Sequence, residues 1–562
     1  MLSIAWGGAM HKPGFAITTL LLTLAGSATA ADVTVLTAAR IHTMDTAQPR
    51  VRALAYDDSG RILALGDTAA LLKKYPRAQR VDAGDATVVP GLIDAHAHVS
   101  GLGMTMLTAD LVDSTSKDEV IRRLREFSTK LPAGAWLIGR GWDQNDWPEK
   151  RFPSAADLDT AFPDRPVWLE RIDGHAGWAN TAAMRVVKRD LAGDWQPDGG
   201  RIERDAARKP TGIFVDAAMA LVDEARPPLD EATAERALVL GMQSAVEHGL
   251  TGVHDAGVSL SELQRYRRLA DRNEMPLRIT AMASGDGDAL AEICRDGLYR
   301  HPSGRLQMRT IKLYADGALG SRGAAMLQDY SDDHGNRGIM VMSPEALLAA
   351  AIKAKGCGVQ VATHAIGDRG NHEVLEAYAR ALGADAGGDH RWRIEHAQLL
   401  TPQDLPRLAQ LHVIASMQPT HATSDMPWAE DRVGPQRIVG AYAWRQLRDS
   451  GARLALGSDF PVESVDPRFG LYAAATRSDS RGLPVGGWFP QEKLTAFEAL
   501  RGFTLDAAYA GFAETEVGSL AVGKRADFVV LKEDPLAVPP ARLRELTVQA
   551  TYVDGRPVYR AP

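Results

Sequence analysis

The most informative stretch of the chain is residues 90–98, which read Pro-Gly-Leu-Ile-Asp-Ala-His-Ala-His. It follows an apolar run at residues 86–89 that has the composition of a β-strand. Alternate residues of a strand point to the same side, so we expect His96 and His98 to converge on one point. Two imidazoles arranged in this way suit a transition metal. A lone His-x-His is common by chance, so the rest of the chain has to supply further ligands.

Seven more β-like runs follow residue 245, and amphipathic helical stretches separate most of them, for example 345–355 and 373–382. Together with 86–89 they make about eight βα units, which predicts an α/β protein built on a TIM (β/α)8 barrel. Residues 102–245 are too long for a single connection and are expected to form an insertion with its own helices and strands. The seven runs are residues 251–254, 277–281, 310–314, 359–364, 392–396, 413–417 and 453–457.

Polar side chains that can bind metals stand at the ends of several of these runs. Barrels of this type build their active sites at the carboxyl ends of the strands, so these side chains should gather in space. Imidazole and carboxylate sets suit zinc and related divalent ions. Each residue alone could equally belong to the core or the surface, and the prediction depends on their joint placement. Besides His96 and His98, the set contains Lys312, His364, His396 and Asp459.

The two ends of the chain carry short β runs, including 33–37, 61–66 and 528–531. Chain termini commonly lie close together, so we expect one discontinuous β-sandwich domain from residues 31–88 and 510–562. The barrel would then occupy residues 89–509.

The first thirty residues have the features of a secretory signal peptide. His11 and Lys12 precede an apolar run, and a small-residue site lies before Ala31. We expect cleavage near Ala30/Ala31 and an exported protein, periplasmic or secreted, without stable membrane insertion after cleavage. An uncleaved membrane anchor is the alternative.

The composition excludes several classes of protein. The 562 residues are 45% hydrophobic and 24% charged, which is unlike a mainly disordered chain. The net charge is −7 and no block of like charge stands out, so nucleic acid is not an expected partner. Cys294 and Cys357 are the two cysteines. Two cysteines are too few for a Cys-rich metal site. Because they lie far apart in the sequence, they need not form a disulfide.

These motifs resemble those of the amidohydrolase superfamily over nearly the whole mature chain. Residues 90–98 look like its opening motif, 363–368 and 394–397 like its later histidine motifs, and 457–461 like its aspartate motif. Residues 517–527 are similar to its C-terminal β signature. Residues 171–176 and 312–322 point more narrowly to the amidohydrolase-3 branch, which includes YtcJ-like proteins and N-substituted formamide deformylase.

The resemblance implies a centre for one or two divalent ions, with zinc expected. His96, His98 and Asp459 would bind the buried ion, and His364 and His396 the exposed one. Lys312, carboxylated by CO2 to a carbamate, would bridge both. The alternative is an unmodified Lys312 that pairs with Asp316 or Asp459.

The expected reaction is hydrolysis of a non-peptide amide, N-acyl or N-substituted, in a small-molecule substrate. Asp459 would carry the proton from water to the leaving nitrogen. His175 or His254 would stabilise the oxyanion, with His254 expected at the catalytic rim.

Substrate contacts are expected from Trp142, Trp178 and Arg322. The tryptophans could instead pack the insertion onto the barrel, and Arg322 could pair with Asp316 or a loop acid. In one alternative the same metal site hydrolyses a lactone or an ester, or deaminates a ring. In another the chain is a non-catalytic regulatory or binding protein that retains the fold. The sequence leaves open whether the chain forms a homo-oligomer.

Overall fold

The computed structural model describes residues 32–132 and 134–562. The signal peptide predicted at residues 1–30 lies outside them. The strands in chain order are β1 Thr34–His42, β2 Arg50–Tyr56, β3 Ile62–Gly66, β4 Gln79–Asp82, β5 Thr87–Pro90, β6 Leu92–Ala97, β7 Ala109–Asp110, β8 Leu137–Trp142, β9 Val167–Arg171, β10 Ala176–Ala179, β11 Gly200–Arg204, β12 Pro210–Asp216, β13 Leu250–Val258, β14 Arg278–Ser284, β15 Tyr299–Arg300, β16 Leu306–Tyr314, β17 Gln360–Ala365, β18 Arg393–His396, β19 Ile414–Met417, β20 Leu454–Leu456, β21 Phe528–Leu531, β22 Val548–Val553 and β23 Arg556–Arg560.

Most of the helices pack outside the barrel strands, and several begin with a side-chain cap. Ser343, for example, accepts a hydrogen bond from the Ala346 backbone at the start of α10. The helices are α1 Thr68–Lys74, α2 Val99–Thr105, α3 Lys117–Ser128, α4 Ala155–Asp159, α5 Thr181–Arg185, α6 Ala220–Asp223, α7 Glu231–Glu247, α8 Leu260–Asp271, α9 Asp288–Asp296, α10 Pro344–Gly356, α11 Asp368–Leu382, α12 Leu405–Gln410, α13 Pro419–Asp425, α14 Ala429–Arg437, α15 Trp444–Asp449, α16 Pro467–Thr476, α17 Ala496–Arg501 and α18 Ala507–Ala510.

Eight parallel strands form a nearly closed barrel, which confirms the predicted α/β fold. Their order is β6, β13, β14, β16, β17, β18, β19 and β20, and β15 pairs antiparallel with residues near the start of β16. Asp94 on β6 links the first strand to the last, because its carboxylate accepts hydrogen bonds from the backbone and hydroxyl of Ser458. The glycine before Ser458 permits this contact, since a Cβ at Gly457 would lie 2.5 Å from Asp94 Oδ1.

The first barrel strand differs from the prediction. Residues 86–89 overlap β5, which pairs with β1 and β21 outside the barrel. The barrel begins instead at β6, so His96 lies within a strand and His98 directly after it. Both strands are fully buried, and Gly91 alone separates them. One continuous apolar run therefore covers two strands that belong to different sheets.

The strands from the two ends of the chain join in one mixed sheet, which we call the terminal sheet. Its order is β23, β22, β21, β5, β1, β2 and β3, with β4 beside β1. The antiparallel pair β5–β21 brings the N- and C-terminal strands together in one sheet, where the sequence analysis expected a β-sandwich. Phe528 stacks on Tyr552 with the ring centroids 4.4 Å apart, in one of the apolar clusters of this sheet.

A third sheet, the inserted sheet, occupies the long connection between α2 and α7. Its six strands have the order β11, β12, β10, β9, β8 and β7. Its core includes Trp142, Trp147 and Trp178, which confirms that the long connection carries strands and helices of its own.

A disulfide joins Cys294 on α9 to Cys357 after α10, a pairing that the sequence had left open. They are 63 residues apart in sequence. The neighbouring parallel strands β14 and β16 place the helices that follow them side by side, and this brings the two thiols together. In the described residues, no helix is both long and apolar enough to cross a membrane.

Candidate metal centre

Three of the predicted ligands meet at the carboxyl end of the barrel. The three residues each offer one ligand atom, and these atoms lie within 4.8 Å of one another; the residues are His96, His98 and Asp459. His98 Nε2 is 3.0 Å from Asp459 Oδ1, and His96 Nε2 is 3.5 Å from the same oxygen. His98 keeps 32% of its side chain exposed, so this group can be reached from solvent. We call it the first trio.

A second trio consists of His396, His421 and Asp459, again with ligand atoms within 4.8 Å. His421 Nε2 lies 3.6 Å from Asp459 Oδ2, and its ring stacks on that of His396 with the centroids 5.7 Å apart. His421 is not among the ligands predicted from the sequence.

The donor atoms of these trios have the chemistry of a metal site. Asp459 Oδ1 and His421 Nε2 are buried and have no hydrogen-bond partner among the described residues. Buried polar atoms are normally paired, and a bound ion would supply the missing partner of both atoms. Burial lowers the pKa of His96 to about 4, which keeps its imidazole neutral and able to bind a cation. The residues present therefore fit a divalent ion.

The backbone around the ligands is strained. His396 and Asp459 have φ angles of 73° and 64°, in the left-handed region that non-glycine residues rarely adopt. Such strain clusters at functional sites, where the surrounding fold holds it in place.

Lys312 reaches the same centre from β16. Its Nζ is 3.5 Å from His96 Nε2 and 4.3 Å from the centroid of the Tyr314 ring. In the described part of the chain it forms no ion pair with a carboxylate. Asp316 instead accepts hydrogen bonds from three backbone amides, among them Ile366 and Gly367. Neither the pair of Lys312 with Asp316 nor that with Asp459 is present among the described residues.

His364 is close to the centre but belongs to neither trio. Its ring centroid is 4.6 Å from that of His396 and 5.1 Å from that of His175. Its Nε2 lies 3.3 Å from the carbonyl oxygen of Gly317.

His175 reaches the metal centre from the inserted sheet. Its Nδ1 is 2.6 Å from Asp216 Oδ1, and 18% of its side chain is exposed. Burial alone would lower the pKa of His175, but the hydrogen bond and charge of Asp216 raise it to about 9. Asp216 has a φ of 50°, and a Cβ at Gly317 would come within 2.5 Å of its Oδ2. Gly317 therefore leaves room for the Asp216 carboxylate, which is hydrogen-bonded to His175, to pack against the loop after β16.

His254 lies elsewhere than predicted. It is buried in the barrel interior below the centre, where its Nδ1 accepts a hydrogen bond from Arg393. Burial is the main cause that lowers its pKa to about 3. Strand β13 continues for four residues beyond His254, to Val258, so His254 is in mid-strand and does not reach the catalytic rim. The prediction that it contacts substrate there is corrected.

A carboxylate behind the first trio holds His96. Glu395 Oε2 is 2.5 Å from His96 Nδ1, and both side chains are fully buried. Burial would raise the pKa of Glu395, but the charge of Arg393 and the hydrogen bond from His96 hold it below its usual range. Ionised Glu395 therefore accepts from His96 Nδ1 and leaves Nε2 free for a cation.

The three predicted substrate contacts have structural partners. Trp142 and Trp178 are fully buried, and their ring centroids lie 6.0 Å apart in the core of the inserted sheet. Their indole nitrogens donate to the Leu169 and Ser154 carbonyls, so they pack the insertion and do not wall an open pocket. Arg322 forms a bidentate ion pair with Asp332, which is the loop-acid alternative.

Comparisons with known proteins show the family of the chain. A sequence profile of the amidohydrolase family matches residues 79–559. YtcJ of Bacillus subtilis (strain 168), provisionally named an amidohydrolase, is 34% identical over 530 residues, covering 92% of this chain and 98% of its own. N-substituted formamide deformylase of Arthrobacter pascens is 31% identical over 536 residues, covering 92% and 96%.

A solved structure has the same fold. It is an uncharacterised metal-dependent hydrolase from Pyrococcus horikoshii OT3, 26% identical, with a TM-score of 0.74. The alignment covers 91% of this chain and 99% of that chain. The profile match and the two relatives together show that the chain belongs to the amidohydrolase family, in its amidohydrolase-3 branch.

Proposed function

We propose that this protein hydrolyses a non-peptide amide C–N bond, N-acyl or N-substituted, in a small molecule. The chain belongs to the amidohydrolase family, and the first trio is the observation that carries the proposal. Asp459 Oδ1, buried without a hydrogen-bond donor in the described residues, faces His96 and His98. The similarity to N-substituted formamide deformylase supports an amide as the bond that is cleaved.

Zinc is the ion we propose, because the trios offer imidazole nitrogens and a carboxylate. When bound, such an ion lowers the pKa of water and polarises a carbonyl group. The first trio would hold one ion.

Asp459 then moves the proton. Its carboxylate accepts a proton from the attacking water as the new C–O bond forms. It returns that proton to the leaving nitrogen as the C–N bond breaks, so that an acid and an amine leave.

His175 would stabilise the intermediate from the turn between β9 and β10. Because Asp216 engages Nδ1, the remaining Nε2–H of His175 is free to donate to the carbonyl oxygen as it becomes negative.

Lys312 is proposed to carry a carbamate. A buried ammonium without a counter-charge is costly, and Lys312 pairs with no acid in the described chain. Reaction of the lysine ammonium with CO2 would form an N–C bond, release two protons and replace the cation with a carbamate, whose single negative charge is shared by two oxygens.

We also propose export, with cleavage near Ala31. The disulfide supports this, since disulfides persist mainly in oxidising compartments. Cell fractionation and N-terminal sequencing test it. Protein starting near Ala31 in the periplasm or medium is expected, whereas an uncleaved chain in the membrane fraction would show an anchor.

A substrate panel tests the reaction. Purified protein is incubated with N-acyl amides, N-substituted formamides, lactones, esters and ring amines, and the products are identified. Cleavage of amides above all other bonds is expected. Preferred cleavage of a lactone or ester, or ring deamination, would replace the proposed bond. No turnover of any class by the metal-loaded protein would favour a regulatory role.

A further inference from the structure

A buried arginine lies inside the barrel, below the metal centre. Arg393 is the first residue of β18, and only 1% of its side chain is exposed. Its Nε and Nη2 donate to the two carboxylate oxygens of Glu395, at 2.6 and 2.9 Å. Nη2 also donates to the carbonyl of Ala95 on β6 and to the hydroxyl of Ser416 on β19. Two of the three guanidinium nitrogens therefore hold Glu395 and tie three strands together.

The third nitrogen of this guanidinium reaches across the barrel to His254. Arg393 Nη1 is 2.9 Å from His254 Nδ1, and among the described residues it has no other acceptor. His254 lies on β13, the second of the eight barrel strands, whereas β18 is the sixth. The two strands are on opposite sides of the barrel. Arg393 thus spans the interior, and His254 alone receives its far end.

The chemistry of this contact fixes the state of the His254 ring. A guanidinium only donates, so Nδ1 accepts, the ring hydrogen is on Nε2 and the imidazole is neutral. Nε2 faces Gly511, where a Cβ would lie 2.6 Å away, so the ring fills the space up to that backbone. The side chain is 2% exposed and borders a cavity of about 40 Å³ at the amino end of the barrel. The lone pair of Nδ1 is therefore directed at Arg393.

A continuous chain of hydrogen bonds joins His254 to a predicted metal ligand. It runs through Arg393 and Glu395 to His96, whose Nδ1 is 2.5 Å from Glu395 Oε2. The guanidinium is a rigid planar fork, so a rotation at Nη1 also moves the two nitrogens that hold Glu395. Without His254, Nη1 would be a buried donor with no partner, which is costly and favours such a rotation.

We propose that His254 is a positioning residue for the metal centre, because it fixes, through Arg393 and Glu395, the orientation in which His96 offers Nε2 to an ion. This inference rests on the proposed metal-dependent function. It gives the mid-strand histidine a role that requires no contact with substrate or metal.

A matched pair of variants of the complete mature protein tests the inference. His254→Asn keeps an acceptor oxygen close to the place of Nδ1, whereas His254→Leu has the same branching and no acceptor. The metal-free proteins are titrated with Co2+, with calorimetry for affinity and visible absorption for the coordination of the ion. We expect His254→Leu to bind the ion about 10-fold more weakly with an altered spectrum, and His254→Asn to stay within about threefold of wild type.

Two further variants show whether the effect passes along the chain. Thr280→Val is the control, because Thr280 borders the same cavity and its hydroxyl accepts from Gln307 and not from Arg393. It should bind Co2+ as wild type does. Adding His254→Leu to Glu395→Gln should weaken binding no further than Glu395→Gln alone, since the link to His96 is then already broken.

Each other result has a defined meaning. Wild-type affinity in His254→Leu would overturn the inference, and equal losses in His254→Leu and His254→Asn would do so by showing that the ring matters only for packing. Additive losses in the double variant would show that His254 does not act through Glu395. No metal in wild type would contradict the proposed function as well. His254→Phe, which keeps a ring without an acceptor, replaces His254→Leu if thermal unfolding shows that the latter does not fold.

Discussion

His96 Nδ1 and Glu395 Oε2 lie 2.5 Å apart, and both side chains are completely buried. Arg393 holds the carboxylate from behind, with Nε 2.6 Å from Glu395 Oε1. The pair fixes the ring of His96 so that its Nε2 faces Asp459 and Lys312. Glu395 and Arg393 thus orient the ring of His96 towards the centre without being ligands themselves.

We predict that Glu395→Gln weakens binding at the first trio 10- to 100-fold, the range for partners that orient a metal ligand. Competition with a chelator measures the dissociation constant. Glu376→Gln, which alters a half-exposed acid paired with Arg407, is the matched control and should change nothing. Unchanged affinity in a folded Glu395→Gln protein would show that His96 needs no orienting partner.

Lys312→Ala should lose metal and activity, because the proposed carbamate disappears. Added acetate or formate should restore part of the activity by occupying the emptied space as an external carboxylate. Metal content and rate are measured with and without the acid. Full metal content and a near-native rate in Lys312→Ala would show that no carbamate is present.

The His175–Asp216 pair should make the stability of the metal-free protein depend on pH. The pKa of His175 is about 9 in the fold, above the usual 6.5 of the unfolded chain. The stabilisation that protonated His175 gives to the fold is therefore complete below about pH 6.5 and is lost as the pH rises through about 9. It amounts to a free energy of unfolding on the order of 3 kcal/mol.

Urea unfolding of wild type and His175→Gln at pH 6 and pH 10 measures this contribution. The difference in the free energy of unfolding between the two proteins should be larger at pH 6. An equal difference at both pH values would mean that His175 carries no charge in the fold.

Loss of the disulfide should destabilise the barrel. Closing a 63-residue separation removes entropy from the unfolded chain worth about 4 kcal/mol in the chain-entropy account. Cys294→Ser with Cys357→Ser should lower the free energy of unfolding towards that amount, measured under oxidising conditions. If the double variant and wild type unfold alike, the two cysteines are not bonded in solution.

Much of the centre could be predicted because parallel barrel strands end at one rim. Strand prediction placed together five residues that lie within three positions of such ends: His96, Lys312, His364, His396 and Asp459. His421 follows β19 but lies on the helix after it, and a strand-end argument does not reach that far.

Other errors have a similar physical origin. The apolar run that contains His254 ends there, but the strand does not, so the depth of His254 along the barrel axis could not be predicted. Trp142 and Trp178 stand beside polar residues in sequence, yet their rings turn into the inserted core. Composition does not distinguish a tryptophan that packs a sheet from one that walls a pocket.

The central claim is metal-dependent hydrolysis of an amide by this centre. Its most direct test is the rate of amide cleavage by purified protein before metal removal, after chelation and after return of Zn2+, with Asp459→Asn in parallel. We predict that chelation abolishes cleavage, that Zn2+ restores it, and that Asp459→Asn loses about 100-fold or more of the rate. Cleavage that survives complete metal removal, or a near-native rate in Asp459→Asn, would contradict the account.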